Sequence, residues 1–253
     1  MTTTLWSEEA GDPAAPLVAL VHGSLDRSAG LLKLSRRLDD RFRVLRYDRR
    51  GYGRSSPHDG PYDVDAQVAD LVALLDGRPA VVFGHSYGGN VALGLADRHP
   101  ALVHGVGVFE TPLPWLDWWP QGTAGGQAAA SDGDPAEAAE RFMRRMVGDE
   151  KWARLPAGTR AARRAEGVTM VGELGAIQHH APWDPSRIGV PAVAMRGSLG
   201  REHHQRSTTH LGAVLTECPV VTIEGAGHFG PNTHPDAVAA VLVDLVSRAA
   251  SRR

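Results

Sequence analysis

The sequence predicts an α/β protein: a mostly parallel sheet with helices on both faces, plus an inserted helical cap. Three observations predict it. Short apolar runs alternate with amphipathic stretches along most of the chain. One run passes through Gly84-His85-Ser86-Tyr87-Gly88 directly into an alanine-rich helical pattern. The alternation lapses between about Pro112 and Arg187 and then resumes.

In chain order, residues 2–7 offer one edge strand, with little room for two. Leu17 to Val21 is the first apolar run, bounded by Asp12-Pro13-Ala14-Ala15-Pro16 before it and His22-Gly23 after it. Arg43 to Tyr47, Ala80 to Gly84, Val103 to Phe109, Pro191 to Met195 and Pro219 to Ile223 follow as strands. Fully apolar strands of this length belong in a sheet covered on both faces. The covering helices are expected over Ala29 to Leu38, Val64 to Leu75, Tyr87 to Arg98 and Pro235 to Ala249.

Within the irregular stretch, Asp134-Pro135 marks a helix start, with the amphipathic run Ala136 to Val147 behind it. A further helix is expected over Thr159 to Ile177, and Gly122 to Gly126 reads as a flexible linker or lid hinge. The resulting division is a core of residues 1–111 and 188–253 and a helical cap or lid of residues 112–187.

A chain of 253 residues accommodates one large α/β domain with such an insertion. The formal net charge of -2 gives no electrostatic case for binding nucleic acid or an anionic membrane. Cys218 is the only cysteine, which excludes an internal disulfide and a cysteine-based metal cluster. The first residues lack a basic, then apolar, leader pattern, and no run approaches the roughly eighteen apolar residues of a membrane span. The expectation is a cytoplasmic enzyme. A homo-oligomer is compatible with the sequence.

The chemistry centres on Ser86. Glycines at positions 84 and 88 leave room for a sharp strand-to-helix turn, and Gly89 lets the helix pack close behind the strand. A serine hydroxyl is a weak nucleophile until a base takes its proton and an acid orients that base. His228 is the base candidate, in the loop Glu224-Gly225-Ala226-Gly227-His228-Phe229 after the last strand. The oxyanion needs backbone amides. Tyr87 supplies one, and Ser24, in Val21-His22-Gly23-Ser24, supplies the other. His179-His180 and His203-His204 read as exposed pairs without carboxylates at ligand spacing, so no metal is expected. No G-x-G-x-x-G follows the first strand, which removes an NAD-type fold, and no cofactor is expected.

These segments resemble the α/β-hydrolase superfamily. His22-Gly23-Ser24 is similar to its oxyanion loop, Asp48-Arg49-Arg50-Gly51-Tyr52-Gly53-Arg54-Ser55 to its D-x-R-G-x-G-x-S loop, Gly84 to Gly89 to its nucleophile elbow, and Gly227-His228 to its late histidine loop. The resemblance implies an α/β-hydrolase fold and a serine nucleophile. The Asp48 to Ser55 loop reads as structural, shaping the rim of the site. The family's acid usually follows the strand that here ends Met195-Arg196-Gly197, but Ser198-Leu199-Gly200-Arg201-Glu202 contains no aspartate. Some branches, haloalkane dehalogenases among them, place the acid after the strand that follows the elbow helix, where this chain has Glu110. Glu110 is therefore the preferred acid and Glu202 the alternative.

Dehalogenases and epoxide hydrolases use an aspartate nucleophile, so Ser86 favours acyl transfer. The implied activity is hydrolysis of a hydrophobic ester, lactone or thioester. The alternatives are a lyase, perhydrolase or acyltransferase on the same fold, or a lapsed enzyme that binds a small molecule. Five of the six tryptophans lie between Trp115 and Trp183. Trp115, Trp118 and Trp119 either anchor the cap to the core or line an apolar substrate pocket.

Overall fold

The computed structural model describes residues 5–252. Its strands are β1 (Ser7–Ala10), β2 (Leu17–Val21), β3 (Arg43–Tyr47), β4 (Ala80–His85), β5 (Val103–Phe109), β6 (Ala192–Gly197) and β7 (Val220–Ile223). They form one seven-stranded sheet in the order β1-β3-β2-β4-β5-β6-β7. Only β1 runs antiparallel, against β3; every other pairing is parallel.

Side chains alternate across each strand, and here both sets are apolar. Ala19, Val21 and Val82 join one buried cluster, while Val18, Leu20, Val81 and Phe83 join the other. Helices α1 (Leu32–Ser35), α2 (Val64–Leu75) and α3 (Tyr87–Arg98) precede β5. Val64, Val68, Leu71 and Leu75 give α2 one apolar stripe against the first cluster.

Between β5 and β6 lie α4 (Ala124–Ala129), α5 (Pro135–Val147), α6 (Asp149–Arg154), α7 (Ala157–Ala165) and α8 (Gly167–Ala176). Beyond them come α9 (Glu202–Val214), α10 (Gly230–Thr233) and α11 (Pro235–Ala250). Val238, Leu242 and Leu245 of α11 pack on the second cluster.

Four local expectations change. The edge strand occupies Ser7–Ala10, mostly beyond the segment 2–7, and residues 2–4 lie outside the described residues. Its Glu8 and Glu9 pair with Arg46 and Arg43 of β3, so charge rather than apolar patterning defines this edge. The helix expected over Ala29 to Leu38 shrinks to one 3₁₀ turn, Ser28–Leu31, and the short α1. The Asp48 carboxylate takes the Ser28 amide at 2.8 Å, and the turn after α1 closes on i→i+3 bonds, as from Leu38 N–H to Ser35 C=O.

The single helix expected over Thr159 to Ile177 is two, α7 and α8. The break falls at Glu166, whose carboxylate turns inward to accept from Arg27 at 2.6 Å and from the Gly53 amide at 2.8 Å. The Gly122 to Gly126 stretch is not a linker but runs into the first turn of α4. The Thr123 hydroxyl accepts the Gly126 amide at 3.0 Å and caps that helix.

Both ends of the helical insertion are tied to α3. The Asn90 side chain donates to the Pro112 carbonyl at 3.1 Å and accepts from Trp183 Nε1 at 2.9 Å. Trp115 meets Trp183 edge-on with ring centres 5.6 Å apart, which closes the base of the insertion.

Candidate active site

Parallel strands deliver their C-terminal loops to one edge of the sheet. Register places those loops beside one another: Val21 lies opposite Gly84, and His85 opposite Phe109. The residues that follow, His22 to Ser24, Ser86 and Glu110, are therefore neighbours by construction.

Ser86 sits between β4 and α3 with φ 53° and ψ -124°, a region costly for a residue bearing a Cβ. Its amide donates to the Phe109 carbonyl at 2.9 Å, which anchors the turn. A Cβ at Gly84 would lie 2.3 Å from the Gly88 carbonyl oxygen, and one at Gly88 would lie 2.4 Å from that of Val21. These are close backbone approaches that only glycine permits. Tyr87 opens α3, so its amide has no acceptor within the helix.

Glu110 has no exposed surface and also adopts a positive φ, 47°. Its amide donates to the Met195 carbonyl at 3.0 Å, and Oε1 accepts the Gly197 amide at 3.0 Å. Oε2 lies 2.7 Å from His228 Nδ1. A carboxylate only accepts, so Nδ1 carries the proton and the neutral ring keeps its lone pair on Nε2.

A cavity of about 410 Å³ is lined by Ser24, Ser86, Tyr87 and His228. Trp119, Phe142, Met143, Leu174 and Ile177 add an apolar wall. Such a volume suits a small-molecule site. Leu199 and Phe229 also line it, yet are 72% and 37% exposed, which puts them at its rim. A serine and an imidazole at one cavity, with a buried carboxylate behind the imidazole, can carry out nucleophilic acyl chemistry.

The family model described as "Alpha/beta hydrolase family" matches residues 18–241. The chain belongs to the alpha/beta hydrolase family. This alpha/beta hydrolase is 30% identical over 289 residues to the rhodomycin D methylesterase DnrP of Streptomyces peucetius, covering 94% of this chain and 93% of that one. It is 33% identical over 302 residues to epoxide hydrolase A of Mycobacterium tuberculosis, at 94% and 92% coverage. Among solved structures, an alpha/beta hydrolase from Sphaerobacter thermophilus superposes with a TM-score of 0.75 at 28% identity, covering 96% of each chain.

The histidine pair at 203–204 departs from its expected exposure. His204 is 9% exposed and stacks on His228, with centroids 4.6 Å apart and planes at 21°. His203 is half-buried and lines the cavity. The cause is α9, which packs beside the histidine loop and turns His204 onto the His228 ring. Burial, then the neighbouring His228, holds the His204 pKa well below the ordinary histidine value. Glu202, in the first turn of α9, is exposed.

His85 flanks the other side of the His228 ring, and its Nε2 donates to the His228 carbonyl at 2.8 Å. Burial first, and His228 next, push its pKa down to about 3, so it stays neutral. It ties the elbow to the histidine loop, a link that its place between Gly84 and Ser86 does not announce.

Of the three tryptophans at the start of the insertion in this alpha/beta hydrolase, Trp119 is the one that lines the cavity. Trp115 packs on Trp183, and Trp118 lies under the Arg206 guanidinium at 4.4 Å. Neither Arg49 nor Arg50 lines the cavity. Arg50 makes a two-pronged pair with Asp70 at 2.6 and 2.7 Å, and Arg49 is buried against Glu173 of α8. Glu173 escaped the sequence reading, although a lone carboxylate within Val168 to Ile177 is the available signal.

Proposed function

We propose that this hydrolase-family chain cleaves a hydrophobic carboxylic ester through an acyl-enzyme on Ser86. The single observation that carries the reading is His228, held by buried Glu110 at 2.7 Å, on the wall of the cavity that Ser86 also lines. In the forward step His228 Nε2 takes the hydroxyl proton as Ser86 Oγ bonds to the ester carbonyl carbon. The amides of Ser24 and Tyr87 stabilise the resulting oxyanion. As the tetrahedral adduct collapses, the carbon–oxygen bond to the alcohol breaks and His228 returns the proton to that alcohol. Water then attacks the acyl-enzyme by the same proton route, releasing the acid and restoring Ser86. Glu110 holds the imidazole in the productive tautomer and stabilises its cation.

The apolar wall and the exposed Leu199 and Phe229 at the rim favour a neutral, hydrophobic substrate. Similarity to a methylesterase agrees with ester chemistry. Similarity to an epoxide hydrolase is weighed against position 86, a serine where that chemistry uses an aspartate nucleophile. Residues 112–187 serve in this reading as the cap that closes the acyl or alcohol pocket. Their role and the cytoplasmic setting are part of the proposal.

The test is fluorophosphonate labelling combined with a chain-length series of p-nitrophenyl esters. Wild type is expected to label at residue 86 and to prefer longer acyl chains. Ser86→Ala should lose labelling and lower kcat by on the order of 10⁵-fold or more. Labelling that persists unchanged in Ser86→Ala would falsify the assignment.

A further inference from the structure

The loop carrying Ser24 is fastened from two sides by a buried charge network that reaches into the helical insertion. Arg49, which follows β3, is 1% exposed, and its Nε donates to the His22 carbonyl at 2.8 Å. The Arg49 amide donates to His22 Nε2 at 2.9 Å, and His22 Nδ1 donates to the Gly23 carbonyl at 2.8 Å. The same guanidinium holds Glu173 of α8, fully buried, through contacts of 2.6 and 3.2 Å. Burial opposes the Arg49 charge, but the Glu173 carboxylate outweighs it and raises the pKa above the ordinary arginine value.

Glu173 Oε1 then accepts two further hydrogen bonds, from Tyr52 Oη at 2.7 Å and from Ser24 Oγ at 2.5 Å. The carboxylate is thus shared between a cation that grips His22 and the hydroxyl of the residue that offers the oxyanion amide. A second buried glutamate of the insertion, Glu166, makes a parallel link to Arg27 on the same loop.

We propose that Glu173 is a positioning residue for the oxyanion hole: through the Ser24 hydroxyl it fixes the direction of the Ser24 amide. Catalytic competence therefore depends on α8 being docked on the core. The proposal rests on the ester-hydrolase reading above. A loose peptide plane at Ser24 would bind the ester as before but would stabilise the developing oxyanion less, because preorganised donors act on the transition state.

Ser24→Ala is the clean probe. It deletes the hydroxyl bonded to Glu173 while leaving the backbone amide and the Arg49–Glu173 pair in place. Steady-state kinetics should show kcat reduced about 10- to 100-fold with KM within about twofold. Affinity for a boronic acid that forms a tetrahedral adduct on Ser86 should fall by the same factor as kcat/KM, with the melting temperature nearly unchanged. A merely structural hydrogen bond would move the melting temperature and leave the boronate affinity alone.

Glu173→Gln should lower kcat at least as far and also reduce stability, since it leaves Arg49 buried without a full counter-charge. If that variant does not fold, Ser24→Ala still decides. Wild-type kcat and wild-type boronate affinity in Ser24→Ala overturn the positioning role alone. Failure of the wild-type protein to turn over esters or to label at Ser86 overturns both this role and the hydrolase reading.

Discussion

Glu110 combines no exposed surface, a positive φ and two occupied carboxylate oxygens, one facing the Gly197 amide and one facing His228. A buried carboxylate is retained only where such partners offset its lost hydration. The role proposed for it follows from where those partners lie. Glu110→Gln is expected to reduce kcat by on the order of 10³–10⁴-fold, because the amide no longer orients the imidazole and stabilises its cation as a carboxylate does. Glu202→Gln should stay within about twofold of wild type, since Glu202 is exposed on α9. Parallel kcat measurements on one p-nitrophenyl ester compare them, and equal, mild losses would count against Glu110. Ser86, His228 and Glu110 were all legible as candidates, each following an apolar strand. His204 was not: its neighbours Arg201 to Arg206 are polar, and only the packing of α9 against the histidine loop turns one member of the pair inward.

The elbow turns strand into helix by bringing backbone against backbone. The atoms that a Cβ at Gly84 or Gly88 would strike are carbonyl oxygens of neighbouring segments, which cannot rotate away as a side chain can. Gly84→Ala and Gly88→Ala are each expected to destabilise by at least about 2 kcal/mol. Urea unfolding checks this, and an unchanged midpoint with an unchanged slope would sink it. Strands β2 to β7 and helices α2, α3 and α11 were legible because their apolar periodicity exceeds their local noise. The insertion was legible as helical but not in its divisions. The break at Glu166 comes from a bond to Arg27, 139 residues away in sequence, and no local pattern encodes such a partner. The edge strand β1 was blurred for the same reason, since its charges answer arginines on β3.

Across the whole molecule, three histidines, His22, His85 and His204, are buried at separate points around the site. For each, burial is the first cause that lowers the pKa, and Arg49 or His228 adds to it. A histidine depressed in the folded state binds its proton in the unfolded chain first. Below the ordinary value of 6.5 the unfolded state therefore gains protons that the folded state does not, until about pH 3 for His85. Stability should be full above pH 6.5 and should fall as pH drops, by up to about 1.4 kcal/mol per pH unit for each group. Asp26 works in the opposite direction, since burial raises its pKa, but it is one group against the three buried histidines, and His203 and His210 are lowered as well. Unfolding free energies from urea titrations at pH 7.5 and 5.5 should differ by a loss of about 2–4 kcal/mol at the lower pH; equal values would exclude the effect. By itself the sequence determined the fold family, and it named the serine, the late histidine and a carboxylate after the elbow helix as candidates. Those signals are local: apolar period, glycine spacing and a polar residue at a strand end. Only the tertiary structure decided that Glu110 faces His228, that His204 stacks on that ring, and that Glu173 of the insertion grips the Ser24 loop. Each of these is a contact between side chains distant in sequence, set by strand register and helix docking.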